Sequence, residues 1–316
     1  MSMRNILIGL GAGLAAALLF AGLVSGTALA LPLFILSPLP IAIAGLGFGT
    51  YSAAAAAAVA SAMIGLAIGH LAGGLYFILF AAPVAWAAHL VGLSRPDDAV
   101  PGGRQWFPLD NVLVRAALVT GAAVVVTGFL LGYNPEALIS QTVSVLKDWL
   151  AQSSADGMAP TEAEIEPLVR FNIALMPFTS ASLTLGILVL ATWLGARIAR
   201  MSGLLAREWT PLWAVVLPQS AALFFGLAFI VSLLPGVPGQ VAGAFAGAMG
   251  FAFALTGFGL LHAMLNGKAA RPLLLFLVYA VSFVFLLPLG IMAVVGLADT
   301  ALQFRARRFA ARSGIS

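Results

Sequence analysis

Cysteine is absent from this 316-residue chain, which excludes disulfides and thiolate metal sites. Charge is scarce as well: Asp, Glu, Lys and Arg make up 8% of the residues, against about 25% in ordinary soluble domains. No charged side chain occurs in the 90 residues between Arg4 and Arg95, nor in the 59 between Glu208 and Lys268. Runs of 26 and 27 uncharged residues separate Arg170 from Arg197 and Arg271 from Asp299. In a chain that is 62% apolar, each run exceeds the roughly 20 residues of one bilayer-crossing helix. A soluble fold could not cover so much apolar surface. The pattern predicts an all-α, polytopic helical transmembrane protein of about eight to ten membrane segments, with residues 1–316 as one integral membrane domain in contact with the lipid bilayer.

The motifs of soluble chemistry are missing too. Gly267-Lys268 is followed by Ala269 and has no upstream P-loop glycine, and no His-Glu-x-x-His occurs. Gly45-Leu46-Gly47-Phe48-Gly49 lacks the last spacing of a dinucleotide fingerprint and reads instead as a close-packing face at Gly45 and Gly49. With no activated nucleophile, clustered acids or metal ligands, no catalytic residue, metal or cofactor is expected, and an enzyme is disfavoured. The formal charge of +4 reflects basic residues at the ends of apolar runs, an orientation signal rather than a nucleic-acid site.

What is present is a series of apolar segments punctuated by Gly and Pro. Helices are expected at 5–25, 31–49, 52–70, 74–93, 111–132, 172–199, 211–234, 239–265 and 272–302, with Ser37-Pro38-Leu39-Pro40 breaking or kinking the second. Arg4 followed by an apolar run and Ala28-Leu29-Ala30 resembles a signal peptide. The run is long for that purpose, and a retained first helix is expected. Lys and Arg placement puts the N-terminus, residues 95–104, residues 197–207 and residues 268–271 in the cytoplasm. Residues 133–171 then form an extracytoplasmic loop; residues 133–170 of it carry a net charge of −4. Asn134-Pro135-Glu136 and Thr161-Glu162-Ala163-Glu164 are helix starts, so the loop should hold short amphipathic helices, acting either as a lid or as plain connectors. One crossing of 272–302 would leave Arg305, Arg307, Arg308 and Arg312 outside. Two short limbs broken near Pro288 are therefore expected, forming a hairpin that returns the C-terminus to the cytoplasm.

Three groups of residues invite a functional reading. Asn172, Thr179, Ser180, Ser182 and Thr184 on the sixth helix, with Gln219 and Ser220 after Pro218 on the seventh, form a candidate substrate-binding set, because a proline at mid-membrane frees backbone carbonyls beside polar side chains. Ser and Thr also serve as ordinary interhelical glue. The first helix carries a small-residue stripe, with Gly9 and Gly13 on one line and Ala12 and Ala16 on another, suited to docking a second helix from this chain or from a partner. No carboxylate is expected inside the bundle, which argues against proton coupling. Asp299, six residues before Arg305, is expected to pair with the terminal arginines as an anchor.

Ser37-Pro38-Leu39-Pro40 with its glycine-rich continuation, and Gly296-Leu297-Ala298-Asp299-Thr300 followed by Phe304-Arg305, resemble the YybS-like bacterial inner-membrane proteins. That resemblance implies a multi-pass protein of the bacterial inner membrane and names no reaction. The N-terminal third is also similar in style to the substrate-binding subunits of energy-coupling-factor transporters, whose Ala-x-x-x-Ala stripe docks a membrane coupling subunit. Ala12 and Ala16 match that pattern, although this chain is longer, with more spans and a larger loop. The expected function is transport-related: binding of a small solute, with a partner supplying energy. The alternative is a structural or assembly protein that docks partner membrane proteins and moves no solute.

Overall fold

A computed structural model describes residues 3–100, 102–153, 161–285 and 287–305. Among the described residues the fold is all-α apart from one short hairpin, Ser94–Pro96 (β1) with Arg104–Trp106 (β2), which sequence periodicity did not suggest. Seven helical segments among the described residues are long and apolar enough to cross a membrane. The first is Met3–Ala21 (α1) with the short turn that follows. The second is Ala30–Leu36 (α2) with Leu39–Phe48 (α3), and the third is Thr50–Ala67 (α4). The fourth joins His70–Tyr76 (α5) to Ala82–Val91 (α6) through a π turn at Phe77–Ala81. Leu109–Leu130 (α7), Glu162–Met201 (α9) and Gly236–Leu265 (α11) complete the set. Pro135–Ser153 (α8) is more polar, and Gln219–Ser232 (α10), Arg271–Val284 (α12) and Leu287–Leu302 (α13) are apolar but shorter.

Proline and glycine explain most of the boundaries. Pro38 and Pro40 remove two helical donors, on either side of Leu39, and divide the second segment into α2 and α3. Pro83 has no N–H for the Leu79 carbonyl, and the turn before it widens to π. Gly45 packs against Ala53 and Ala88, as the glycine-face reading requires. Gly49 does not pack: it turns the chain from α3 into α4 with φ +96° and no neighbour near its missing Cβ.

Two expected boundaries move. The capping box at Thr161 and Glu164 forms, but the helix it opens continues through Pro167 and Pro177 into the sixth span, giving one 40-residue helix, α9. At 1.5 Å per residue α9 is about 60 Å long, twice the roughly 30 Å hydrocarbon core, so its first part stands outside the bilayer. There it pairs antiparallel with α8. Ile139 and Val143 meet Ile165, Val169 and Ile173 in a small apolar core, flanked by exposed ion pairs from Arg170 to Glu136 and Lys147 to Glu162. The expected helix at 211–234 also shrinks. Pro211 and Pro218 keep residues 202–218 out of an α-helix except for a 3-10 turn at Leu212–Ala214, and α10 starts only at Gln219. The last apolar segment is divided into two limbs, α12 and α13.

Packing centres on α11. Its sequence is apolar on every side, as suits a helix surrounded by others, and 78% of its most apolar window is buried. Against it lie α7, α9, α10 and α13, while α1 and α3–α6 pack beside this group, joined to it chiefly by α3 against α9 and by α6 against α7 and α9. The small-residue stripe on α1 is covered from within the chain. A Cβ on Gly9 would lie 2.7 Å from Ser52 O, and one on Gly13 would lie 2.7 Å from Ala56 O and Val59 Cβ, so α4 occupies that face.

The same numbers predict an asymmetry. Gly13→Ala should lower the thermal midpoint of detergent-purified protein, the overpacking costing about 1–3 kcal/mol. Gly11→Ala, with nothing within 4 Å of its Cβ position, should leave the midpoint unchanged or raise it slightly. Equal effects at the two positions would contradict the α1–α4 contact.

Candidate functional site

Pro177 deprives the Ile173 carbonyl of its helical donor. Tyr133, in the loop that leaves α7, supplies a replacement: its hydroxyl donates to Ile173 O at 2.8 Å. Burial raises the phenol above its ordinary pKa, so it keeps its proton and remains a donor. Around this bond is a cavity of about 330 Å³, at the low end of the range for small-molecule sites. Its walls come from the C-terminal end of α7, the middle of α9 and the N-terminal end of α11, and its polar lining is Thr127, Tyr133, Ser180, Thr184 and Gln240 among apolar neighbours. The Thr127 hydroxyl is buried and has no hydrogen-bond partner. No charged side chain lines the cavity, so its lining suits an uncharged molecule able to hydrogen-bond at one edge.

The expected binding residues are only partly brought together. Thr184 lines the cavity, as does its neighbour Ser180. Asn172 is exposed and donates to Leu168 O, and Thr179 bonds to carbonyls of its own helix at Leu175 and Met176. Ser182 Oγ lies 2.9 Å from Phe178 O and 2.8 Å from Gly247 O, joining α9 to α11 as interhelical glue. Gln219 and Ser220 are exposed at the start of α10 and line neither this cavity nor the inner one described below. α9 and α10 each pack on α11, so the two halves of the expected set do not converge. Tyr133, Thr127 and Gln240 were missed because each reaches the cavity from a different segment. Only the frustrated Ile173 carbonyl, implied by Pro177, pointed toward a donor there. On α1, Ala16 has no exposed surface and Ala12 is partly buried against the same core, so the expected docking pair faces inward.

Toward the opposite end of the same helices lies a second cavity, of about 190 Å³. The irregular segment 202–218 forms one of its walls, with Arg207, Trp209 and Val215 among the lining residues. Arg207 is held by backbone, donating to Phe107 O at 2.8 Å and Val91 O at 3.4 Å. Beside this cavity a carboxylate is buried within the bundle, contrary to expectation. Asp299 is 1% exposed and Arg305 4% exposed. Arg305 donates from Nε to Asp299 Oδ2, from Nη1 to Trp213 O (2.7 Å) and Val215 O (3.0 Å), and from Nη2 to Thr256 O (3.2 Å). The Asp299–Arg305 pair expected as an anchor is therefore present. It is formed inside the bundle rather than in an exposed basic cluster, and it holds the non-helical segment that precedes α10. Arg307, Arg308 and Arg312 lie outside the described residues.

No protein-family model, curated protein or solved structure matches this chain.

Removing one member of a buried, hydrogen-bonded pair typically costs about 3–5 kcal/mol. Arg305→Leu should lower the thermal midpoint accordingly, and Arg305→Lys should rescue little, because an ammonium cannot span Asp299 and three carbonyls as the guanidinium does. Full rescue by lysine would show that only the charge matters.

Proposed function

We propose that this chain is a multi-pass inner-membrane protein that binds a small, uncharged, hydrogen-bonding solute and takes part in its transport. The observation that carries this reading is the outer cavity, where Tyr133 caps the carbonyl freed by Pro177 and the unpartnered Thr127 hydroxyl sits beside Thr184. Discontinuous or kinked helices with exposed backbone are the usual means of building solute sites inside a bilayer. Following the distribution of Lys and Arg, this cavity faces away from the cytoplasm, and the end carrying Arg4, Arg95 and Arg197–Arg207 faces the cytoplasm. In this reading the helical pair formed by α8 and the start of α9 stands over the cavity mouth. The chain carries no nucleotide-binding motif, so energy for transport comes from a partner.

The test is extraction of small molecules from protein purified in mild detergent at native expression, followed by mass spectrometry. Wild type should retain a discrete neutral compound, and Thr184→Phe, which fills the cavity, should retain at least tenfold less at an unchanged thermal midpoint. Wild-type protein that carries no solute and co-purifies only with envelope-assembly proteins would overturn the reading in favour of an assembly role.

A further inference from the structure

The two cavities share three helices. On α7, Val112 and Ala116 line the inner cavity, Val124 and Gly128 line the outer one, and Thr120 lies between them in the same i, i+4 row. On α9 the row is unbroken: Ser180 and Thr184 line the outer cavity, and Leu188 and Thr192 line the inner. On α11, Ala244 lines the outer cavity and Thr256 the inner, with Ala248 and Ala252 between. The septum between the cavities runs from about 6 Å along α9 to about 18 Å along α11 at 1.5 Å per residue.

We infer that this seam between α7, α9 and α11 is a translocation path, caught closed at both cavities' inner ends. The inference rests on the solute-binding reading and adds that the solute passes through this chain rather than being released where it entered. Three features support it. The septum residues Ala248 and Ala252 are small, and both are fully buried. Two rings of α11 sit in glycine notches at septum level: a Cβ on Gly121 would lie 2.6 Å from Phe245, and one on Gly186 would lie 3.1 Å from Phe251. Such seats are held by shape and break no polar bond on opening. Thr120 itself is 0% exposed and its hydroxyl has no partner, an uncommon condition for a buried polar group. Together with Ser180, Thr184, Thr192 and Thr256 it gives the three rows hydroxyls at several levels and no charge, which matches the uncharged class of solute assigned to the outer cavity; the charged side chains Arg207 and Glu208 line only the inner cavity and come from the irregular segment 202–218.

The lack of native cysteine allows a direct test. Single variants Thr184→Cys, Thr192→Cys, Thr120→Cys and Ala117→Cys are reacted in sealed vesicles with a small neutral methanethiosulfonate applied from each side in turn, while an impermeant thiol on the other side quenches any reagent that crosses the lipid. Thr120→Cys is nearly isosteric, and Ala117→Cys, about 4.5 Å nearer the inner cavity on the adjoining row of α7, probes the septum's inner border should the first fold poorly. Thr184→Cys should react from the outer side and Thr192→Cys from the inner. The two septum cysteines should react from both sides, at least tenfold more slowly. Septum cysteines that stay inert, or that react from one side only, while the flanking cysteines react, would overturn the path and leave the binding reading standing. An inert Thr184→Cys would remove the outer cavity from which both start.

Discussion

Hydrocarbon offers no hydrogen bonds, so every backbone carbonyl that leaves a helix inside a membrane must find a donor in the protein. That constraint organises this fold. Residues 211–218, between Pro211 and Pro218, form no α-helix beyond a 3-10 turn at Leu212–Ala214, yet they lie against α11 at Thr256, about 13 Å inside its end. Arg305 reconciles the two facts. Its planar fork reaches the carbonyls of Trp213, Val215 and Thr256 while Asp299 neutralises it, so one side chain satisfies the freed backbone and its own buried charge together. The carbonyl that Pro177 frees within α9 is handled on the same principle by a neutral donor, Tyr133.

The membrane class was legible because it depends on local composition. Runs of uncharged residues long enough to span a bilayer appear in the sequence as they stand, and Pro38 and Pro40 mark the break between α2 and α3. The extent of α10 was not legible. Hydropathy cannot separate an extended apolar stretch from a helical one, and the Arg305 contacts that hold residues 213–215 cross about 90 positions of sequence. Asp299 read as a surface anchor for a related reason: its burial follows from where α13 packs, through Gly257 and Gly296, and not from its neighbours in sequence. The stripe on α1 was visible, but close-packing glycines look alike whether the helix they receive is α4 or a partner's. Of the candidate site, Thr184 and its neighbour Ser180 could be read directly. The rest of the cavity lining is contributed by α7, α11 and the loop before α8, and no local pattern ties those segments together.

The distribution of polar contacts separates what is pinned from what is held by shape. The non-helical segments are fixed by charge-assisted or neutral hydrogen bonds: Arg305 and Arg207 on residues 202–218 and neighbouring turns, and Tyr133 on α9. Around the septum the contacts are alanine methyls, glycine notches and phenyl rings, with the Ser182–Gly247 bond at its outer border. Dispersion contacts between smooth surfaces are individually weak and re-form after a small displacement, whereas a buried carbonyl that loses its donor has no substitute in lipid. Rearrangement is therefore least costly between α7, α9 and α11 and most costly at the proline breaks. A chain built this way holds its irregular segments by polar bonds and concentrates its compliance along an interhelical seam with a cavity at each end.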